Sequence, residues 1–405
     1  MVLGEDYLKL LGQIGNFTKE VTGVSVIDAY FGPKNLSPEK AKRRLTPEKL
    51  LMNLDTLIGK AKEIDDQLRR ITVTSDLESL KVVVKWLLGE NTPYTRLVEG
   101  IFGITPRKFG QNEIRKAQQI VEDACTTFPG SDVSEKVLKW REESKISREA
   151  LKKMIDTVIV ERTQEIKGLF EKHVFVHFPT KVENKGVIYK TVTGESWAAY
   201  NYYQGDYTSI NVFNIDRPFN RYRLIMALCH EYEHHVANLF RERYYRENKS
   251  VDLSAVLLHT KRCVISEGTA DCARDFLGLQ LSEEYGEFIE SLSNLGRMIG
   301  LNVAYMLNVE NVDDETAAEY LASEGFLPIE EARKGIRFSK PLTPDGRPNL
   351  FKPYVYTYFF GRRDYVLPTF QKAQKKGKVK EFFQTLYLNP YSHSSATWKI
   401  AFSKI

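Results

Sequence analysis

The sequence predicts a mainly α-helical protein with a small antiparallel β-sheet, arranged as two helical lobes around a cleft. Helical periodicity dominates roughly the first 170 residues, β-branched and aromatic segments follow, and helical periodicity then returns. The 405 residues are enough for a large hydrophobic core. We expect a helical N-terminal lobe over residues 1–170 and a second lobe over residues 171–405.

Helix start signals mark the N-terminal lobe. Ser37-Pro38 and Thr46-Pro47 each place a capping hydroxyl before a proline suited to the first helical turn. Ser75–Glu78 has the spacing of a capping box, which predicts a helix from there to Leu88. Periodicity near 3.6 predicts further helices at 112–127 and 147–170.

The second lobe begins with predicted strands. His173–Phe178 alternates in polarity, and three later segments rich in β-branched or aromatic residues are Val187–Val192, Trp197–Tyr203 and Tyr207–Phe213. Helices are then expected at 221–243, 253–279, 283–309, 315–323, 329–338, 352–375 and 380–388.

The composition narrows the class of protein. The 58 basic and 53 acidic residues give a net charge of +5 and are interleaved, which favours a solvated surface over a nucleic-acid-binding stripe. The four cysteines form no CxxC pair, and Glu5 and Asp6 lie where a signal peptide carries positive charge. The sequence has no apolar run long enough for a bilayer. We therefore expect a cytoplasmic protein that binds neither nucleic acid nor membrane.

One segment carries the chemistry. Cys229–His235 contains the pattern HExxH. Three of the seven histidines of the chain lie in this segment, within six consecutive residues. On a helix, His230 and His234 lie one turn apart on one face, so both imidazoles can bind one zinc ion. Glu231 lies beside them, where its carboxylate can reach a metal-bound water without binding the metal. The pattern predicts two zinc ligands and a general base.

A third ligand is expected on the next helix. Glu267 follows the apolar Val264-Ile265 and would complete a His-His-Glu site with an open fourth position. Asp271, one turn later, is placed to accept a hydrogen bond from a ligating histidine. The small Gly268 and Ala270 would let this helix approach the HExxH helix closely. We expect one zinc ion per chain.

These motifs resemble those of the gluzincin metallopeptidases, in which HExxH is followed by a glutamate on the next helix. Trp197–Tyr203, Gly205–Val212, Ser266–Gly268 and Tyr358–Gly361 look like segments of uncharacterised helical relatives of the thermostable carboxypeptidase Taq family. The similarity covers roughly residues 170–405. Those relatives carry a longer HExxPGHH pattern, whereas this chain has HExxH followed directly by His235.

The resemblance implies a zincin-like catalytic lobe that hydrolyses short peptides, most simply as a carboxypeptidase, and it implies a homodimer. Glu231 would activate the zinc-bound water. Tyr358 is the expected donor to the oxyanion, with Tyr356 and His393 in reserve. Tyr354 and Arg362 share its helical face and are expected to bind substrate.

Substrate orientation and two alternatives stay open at this stage. The strand Tyr207–Phe213 is expected to pair with the substrate backbone. Arg362 could receive a terminal carboxylate, as could Arg363, Arg337 or Arg347, whereas an aminopeptidase would use Glu233 or Asp206 for the free amine. An oligopeptidase of the same mechanism is a further alternative. A non-catalytic zinc-binding scaffold, with Cys229 or Cys272 as an added ligand, is the other.

Overall fold

Helices make up most of the protein, as the sequence predicted. The computed structural model describes residues 4–41 and 45–405. The N-terminal part consists of consecutive helices: α1 Gly4–Thr22, α2 Pro47–Ala61, α3 Gln67–Leu87, α4 Tyr94–Phe102, α5 Gln111–Ala124, α6 Val133–Ser144, α7 Arg148–Asp156 and α8 Val158–His173.

Two of the expected helix starts are confirmed and two are wrong. Ser37 precedes only the 3-10 turn Pro38–Lys40 and makes no side-chain cap. The hydroxyls of Thr46 and Ser147 cap α2 and α7 by accepting hydrogen bonds from backbone amides three residues later. Ser75 does not begin a helix. The Asp66 carboxylate caps α3 earlier, 2.7 Å from the amide of Arg69, and the Ser75 hydroxyl donates to the carbonyl of Thr72 within that helix. A residue suited to capping is also tolerated in a helix interior when its hydroxyl bonds to the preceding turn.

Two small sheets lie in the chain. Their strands are β1 Ile27–Tyr30, β2 Gly186–Val192, β3 Ala199–Gly205, β4 Thr208–Asn214 and β5 Ala255–Leu257. β1 pairs with β5, and the larger sheet has the order β2-β4-β3. β3 and β4 are antiparallel, but β2 runs parallel to β4, so this sheet is mixed rather than wholly antiparallel as predicted.

The first predicted strand, His173–Phe178, does not form. His173 ends α8, and a short 3-10 turn covers Phe175–His177. Phe175 and Phe178 pack edge-on against Phe240, with ring centroids 5.8 and 4.8 Å apart. A tight turn therefore packs these two partly buried aromatic rings against α9, in place of the predicted strand.

The C-terminal half returns to helices. They are α9 Arg221–Asn248, α10 Lys261–Asp271, α11 Ala273–Leu277, α12 Gly286–Asn308, α13 Asp314–Gly325, α14 Ile329–Gly335, α15 Val355–Phe360, α16 Leu367–Lys375, α17 Val379–Leu388 and α18 Trp398–Ala401, and a π-helical segment, Gly361–Val366, joins α15 to α16. In place of the single helix expected over 253–279, the chain forms β5, which pairs with β1, and then the two helices α10 and α11.

Helix α10 lies between two hydrophobic cores. One core combines side chains of α1–α5 with those of α12–α15, and it includes the fully buried Val264. The other combines α7–α9 with α11, α16 and α17, and it includes the fully buried Ile265. Successive residues of α10 thus face opposite cores, which fixes the position of the helix that carries Glu267.

Two glycines let α10 touch the π-helical segment. A Cβ atom on Gly268 would lie 2.4 Å from the carbonyl carbon of Gly361, and one on Gly361 would lie 1.9 Å from the carbonyl oxygen of Val264. The sequence predicted that Gly268 serves a close approach to the HExxH helix. The close approach exists, but its partner is the C-terminal segment that follows Tyr358.

The β3–β4 turn is held by a buried carboxylate of α9. Asp206 and Tyr207 both have positive φ, at 52° and 60°, a conformation that favours glycine or asparagine. Their backbone amides donate to Glu242, at 3.0 and 3.1 Å, and the Tyr203 hydroxyl donates to the same carboxylate at 2.6 Å. Glu242 therefore stabilises a turn whose two residues disfavour the positive φ angles that the turn requires.

We expect Glu242→Ala to lower the free energy of unfolding by about 2 kcal/mol, because the three donors of the turn and the Arg246 guanidinium lose a charged acceptor. Urea denaturation followed by circular dichroism measures this change. Glu247→Ala on the same helix is the control, since its pair with Arg243 is exposed and worth less than about 1 kcal/mol. Equal effects of the two substitutions would contradict the role of Glu242.

Candidate metal centre

Helices α9 and α10 bring three potential metal ligands together. His230 and His234 lie one turn apart on α9, and their Nε2 atoms are 3.1 Å apart. Glu267 of α10 places Oε2 3.2 Å from the His230 nitrogen and 3.7 Å from the His234 nitrogen. Within the described ranges, these residues form the one group of three His, Cys, Asp or Glu side chains whose ligand atoms converge.

The geometry of this group fits zinc. Ligands about 2.0–2.1 Å from a tetrahedral zinc ion are about 3.3 Å from each other, close to the three separations observed. Glu267 Oε2 is buried without a hydrogen-bond donor in good geometry among the described residues. A buried carboxylate oxygen of this kind calls for a cation. The donor set, two imidazoles and a carboxylate, is one that zinc accepts.

The outer contacts of the histidines leave both Nε2 atoms free to bind a metal. His230 Nδ1 lies 3.0 Å from Asp271 Oδ1, and His234 Nδ1 lies 3.4 Å from the Ser266 hydroxyl. When Nδ1 carries the proton toward such an acceptor, the lone pair is on Nε2. Asp271 also pairs with Arg297 at 2.9 Å. Burial alone would raise the pKa of Asp271, but Arg297 and His230 hold it below its ordinary value, so it stays an acceptor.

Tyr354, expected to bind substrate, contacts a metal ligand instead. Its hydroxyl donates to Glu267 Oε1 at 2.8 Å, and its ring is buried. The bond occupies one carboxylate oxygen and leaves Oε2 facing the histidines. Tyr354 is therefore a positioning residue for Glu267.

We expect Tyr354→Phe to weaken zinc binding about tenfold, because partners that orient a ligand typically contribute 10- to 100-fold in affinity. Competition against a fluorescent chelator measures the affinity. Tyr356→Phe is the matched control: Tyr356 lies two residues later, in α15, and is fully buried but packs against Tyr94. A zinc affinity unchanged by Tyr354→Phe would refute the positioning role.

The three ligand residues open onto one cavity of about 880 Å³, part of which is continuous with solvent. Glu231 lines it beside His230, and Tyr358 lines it with its ring centroid 6.1 Å from that of His230. Other lining residues come from several separate parts of the chain: Asp28, Trp197, Ala199, Tyr200, Asn201, Ala237, Asn238, Arg241, Ala255, Val256, Leu257, Leu258, Arg262, Cys263, Ser266, Phe338, Phe351 and Tyr354.

Burial sets the protonation of the two groups beside the ligands. Burial raises the pKa of the Glu231 carboxyl, while His230 and His234 oppose that shift. Burial also raises the pKa of the Tyr358 phenol well above its ordinary value, and the Glu267 and Glu231 carboxylates raise it further. Tyr358 therefore keeps its proton and can donate a hydrogen bond, and Glu231 faces the cavity as a carboxyl group able to exchange a proton.

Arg362 lies outside this cavity. Its guanidinium bonds to Asp275 and to the carbonyl of Asp271, and it pairs with Glu290 at 3.2 Å. The expected shared face with Tyr354 and Tyr358 assumed regular α-helical spacing, but the π-helical turn from Gly361 changes the angular spacing there. Arg362 thus ties the C-terminal segment to α11 and α12.

The reserve residues also lie away from the lining. Tyr356 is fully buried, and His393 Nε2 lies 3.3 Å from the Thr269 hydroxyl behind α10. His235 is fixed between Ser209 and Asn184, at 2.8 and 3.0 Å from its two ring nitrogens. Cys229 and Cys272 are buried and do not belong to the ligand group.

The two carboxylates that an aminopeptidase was expected to use interact with other side chains outside the cavity. Glu233 is fully buried and accepts a hydrogen bond from Tyr387 at 2.9 Å. Asp206 is exposed on the β3–β4 turn and pairs with Lys185 at 2.7 Å. Neither lines the cavity.

The strand beside the cavity is β3 rather than β4. β4 is hydrogen-bonded on both sides, to β2 and β3, so it has no free edge for a substrate. β3 is an outer strand, and its residues Ala199–Asn201 line the cavity. The expectation that Tyr207–Phe213 pairs with substrate is therefore wrong, because a neighbouring strand already fills its place.

Several lining residues were not expected from the sequence. Asp28 belongs to β1, more than 200 residues before the histidines, and no local pattern connects it to them. Asn238 and Arg241 had a signal that was overlooked: they follow His234 at i+4 and i+7, which continues the HExxH face of α9.

Comparison with known proteins gives structural similarity only. No protein-family model matches the chain, and no curated protein sequence matches it significantly. A solved structure from Colwellia psychrerythraea, provisionally described as a lipoprotein, is 15% identical, covers 96% of this chain and 69% of its own, and superposes with a TM-score of 0.56. Another from Shewanella oneidensis, provisionally described as a lipoprotein of unknown function, is 14% identical with coverages of 86% and 71% and a TM-score of 0.49. The Colwellia similarity supports a shared fold.

This comparison corrects the predicted cytoplasmic location. Lipoproteins are anchored to a membrane, so the Colwellia description contradicts that prediction, which was wrong. The four buried, unpaired cysteines exclude disulfides among themselves but do not identify a compartment. Within residues 4–41 and 45–405, no helix is long and apolar enough to cross a bilayer.

Proposed function

We propose that this protein is a zinc-dependent hydrolase that cleaves peptide bonds in short peptides. One observation carries the proposal: His230 Nε2, His234 Nε2 and Glu267 Oε2 converge within 3.7 Å in a cavity that Glu231 also lines. A zinc ion held there would supply Lewis acidity, which polarises a carbonyl group and makes water acidic enough to lose a proton near neutral pH.

Glu231 is the proposed general base. It follows His230 directly, so its carboxylate lies beside the ligand face without being part of the ligand group. A carboxylate in that position can take a proton from the attacking water and return it to the leaving amine. Because Glu231 is buried, bulk water screens its carboxylate less, and its interaction with a charged partner is stronger.

Tyr358 and β3 complete the proposed substrate site. The Tyr358 phenol keeps its proton and faces the cavity, so it can donate to the oxygen that gains charge as the peptide carbonyl is attacked. The outer edge of β3 offers backbone groups at Ala199–Asn201, which would align an extended peptide by strand addition. Such pairing does not depend on side chains, so broad specificity is expected.

The partly enclosed position of the ligand group favours short peptides over folded proteins. The converging ligands lie in a cavity that several elements of the fold surround and that is partly open to solvent. A peptide of a few residues can enter in extended form. A folded chain would have to unfold locally before a peptide bond could reach the ligands.

A peptide-mixture assay tests the proposed function. The zinc-reconstituted protein is incubated with a mixture of tri- to decapeptides, and the products are read by mass spectrometry. We expect fragments that differ by one or a few residues, and no fragments from protein treated with a chelator and freed of metal. Absence of any cleavage by the zinc-loaded protein would reject the peptidase and leave a zinc-binding scaffold.

A further inference from the structure

We propose that Arg241 and Asn238 bind a carboxylate group of the substrate, two helical turns along α9 from His234. This inference rests on the proposed function and deepens it, since it names the chemical group by which the substrate is held. Both residues line the same cavity as the metal ligands. Neither was among the cations or polar residues expected from the sequence.

Arg241 is a buried cation without a counterion in contact. It is 5% exposed, and its guanidinium donates a hydrogen bond to the neutral amide oxygen of Asn238, at 2.7 Å. Its Nε atom is buried without a hydrogen-bond partner, and no carboxylate of the described residues lies within 4.0 Å of the guanidinium. Asp76 and Asp28 attract Arg241 without touching it. Burying a charge without a partner in contact is costly, so the guanidinium is suited to bind an anion that enters the cavity.

A second buried arginine in the cavity shows the contrast. Arg262 is also 5% exposed, but its Nε lies 2.8 Å from the Asp76 carboxylate, which is itself buried. Asp28, the remaining carboxylate at this side of the cavity, accepts a hydrogen bond from the Tyr200 hydroxyl. Arg262 therefore has a carboxylate in contact and Asp28 has a hydrogen-bond donor, whereas the guanidinium of Arg241 contacts only a neutral amide and can receive a ligand.

The ligand class follows from the chemistry of the guanidinium. Its planar fork matches the two oxygens of a carboxylate and forms strong, directional hydrogen bonds with them. Burial, together with nearby Arg262, lowers the pKa of Arg241 to about 10, so it remains charged at neutral pH. A short peptide offers a carboxylate either at its C-terminus or on an acidic side chain.

The spacing sets how far the carboxylate lies from the bond that is cleaved. Seven residues of helix separate His234 from Arg241, which is about 10 Å along the axis. Helical side chains lean toward the helix N-terminus, which shortens the distance from the guanidinium to the ligands. An extended peptide advances about 3.5 Å per residue, so one or two residues fit between the cleaved bond and the bound carboxylate.

Binding measured without turnover tests the inference. The full chain carrying Glu231→Gln is loaded with zinc, and calorimetry compares Ala-Ala-Ala with its C-terminal amide. A second pair, Ala-Glu-Ala-amide and Ala-Gln-Ala-amide, tests an acidic side chain. In one of the two pairs, we expect the peptide with the carboxylate to bind 10- to 100-fold more tightly than its neutral counterpart. The first pair would identify the C-terminal carboxylate as the bound group, and the second pair would identify an acidic side chain.

Variants of two arginines locate the receptor. In the same background, Arg241→Gln is expected to remove the preference, and Arg241→Lys to retain part of it. Arg243→Gln is the matched control, because Arg243 lies on the same helix but pairs with Glu247 at 2.8 Å outside the cavity. Arg241→Gln is also expected to keep or raise the melting temperature, since it removes an unpaired buried charge.

The outcomes separate this inference from the proposed function. Equal binding of both members of both pairs would overturn it, as would a preference that survives Arg241→Gln in a folded protein. A preference that Arg241→Gln removes supports it even if the wild-type protein cleaves no peptide, in which case only the proposed function fails. Cleavage by the wild type combined with no carboxylate preference would reject the receptor alone.

Discussion

Glu231→Gln is expected to reduce the rate of peptide hydrolysis by 10²- to 10⁴-fold while the protein keeps its zinc. Glutamine has the same shape as glutamate but cannot accept the proton of the attacking water, and general bases contribute a factor of this size. The side chain lines the cavity without being one of the converging ligands, so the metal site should persist. Initial rates with a single peptide substrate and the zinc content of the same preparation measure both parts.

Glu247→Gln provides the control for this substitution. It makes the same chemical change on the same helix, but Glu247 is exposed and pairs with Arg243. Its activity and zinc content should match those of the wild type. Hydrolysis at the wild-type rate by Glu231→Gln would remove Glu231 from the mechanism, and loss of zinc from that variant would make Glu231 a ligand instead.

Gly361→Ala is expected to lower the free energy of unfolding by about 3 kcal/mol. The added Cβ would lie 1.9 Å from the carbonyl oxygen of Val264 and 2.9 Å from the Cα of Gly268, both backbone atoms that cannot turn aside. Overpacking of this kind typically costs about 1–3 kcal/mol, and here two helices must separate to relieve it. Because α10 carries Glu267, the displacement should weaken zinc binding as well.

Gly296→Ala is the matched control for the helix contact. Gly296 lies inside α12, and a Cβ there would meet no atom within 4 Å. Alanine at an open helical position stabilises by about 0.5–1 kcal/mol relative to glycine. Urea denaturation should therefore show opposite signs for the two variants, and a neutral Gly361→Ala would contradict the close packing of α10.

The convergence of His230, His234 and Glu267 could be predicted because most of its geometry is local. His230 and His234 need only one turn of helix to face the same way, and the residues before Arg221 supply the start signal: Asn220 caps α9 with a 2.8 Å bond to the amide of Arg223. Glu267 required one step more, namely that the next helix packs antiparallel or crossed against the first at the ligand face. The mainly helical fold with a small sheet was likewise visible in the periodicity.

The parts that failed depend on contacts between distant segments. Periodicity gave no sign of the π-helical turn at Gly361, which lies where the C-terminal segment meets the backbone of Val264, far away in the sequence. β2 pairs in parallel with β4 and so occupies the strand edge that was predicted to pair with the substrate backbone. Asp28 enters the cavity through the pairing of β1 with β5, a contact between residues far apart in the chain.

The most direct test of the central claim is the zinc content of the purified wild-type protein and of Glu267→Ala, measured by mass spectrometry after both are exposed to zinc and dialysed. The proposed site predicts one zinc ion per wild-type chain and a value near zero for Glu267→Ala, with both proteins folded by circular dichroism. A wild-type protein that binds no zinc, or a Glu267→Ala variant that retains a full equivalent, would contradict the metal centre of His230, His234 and Glu267.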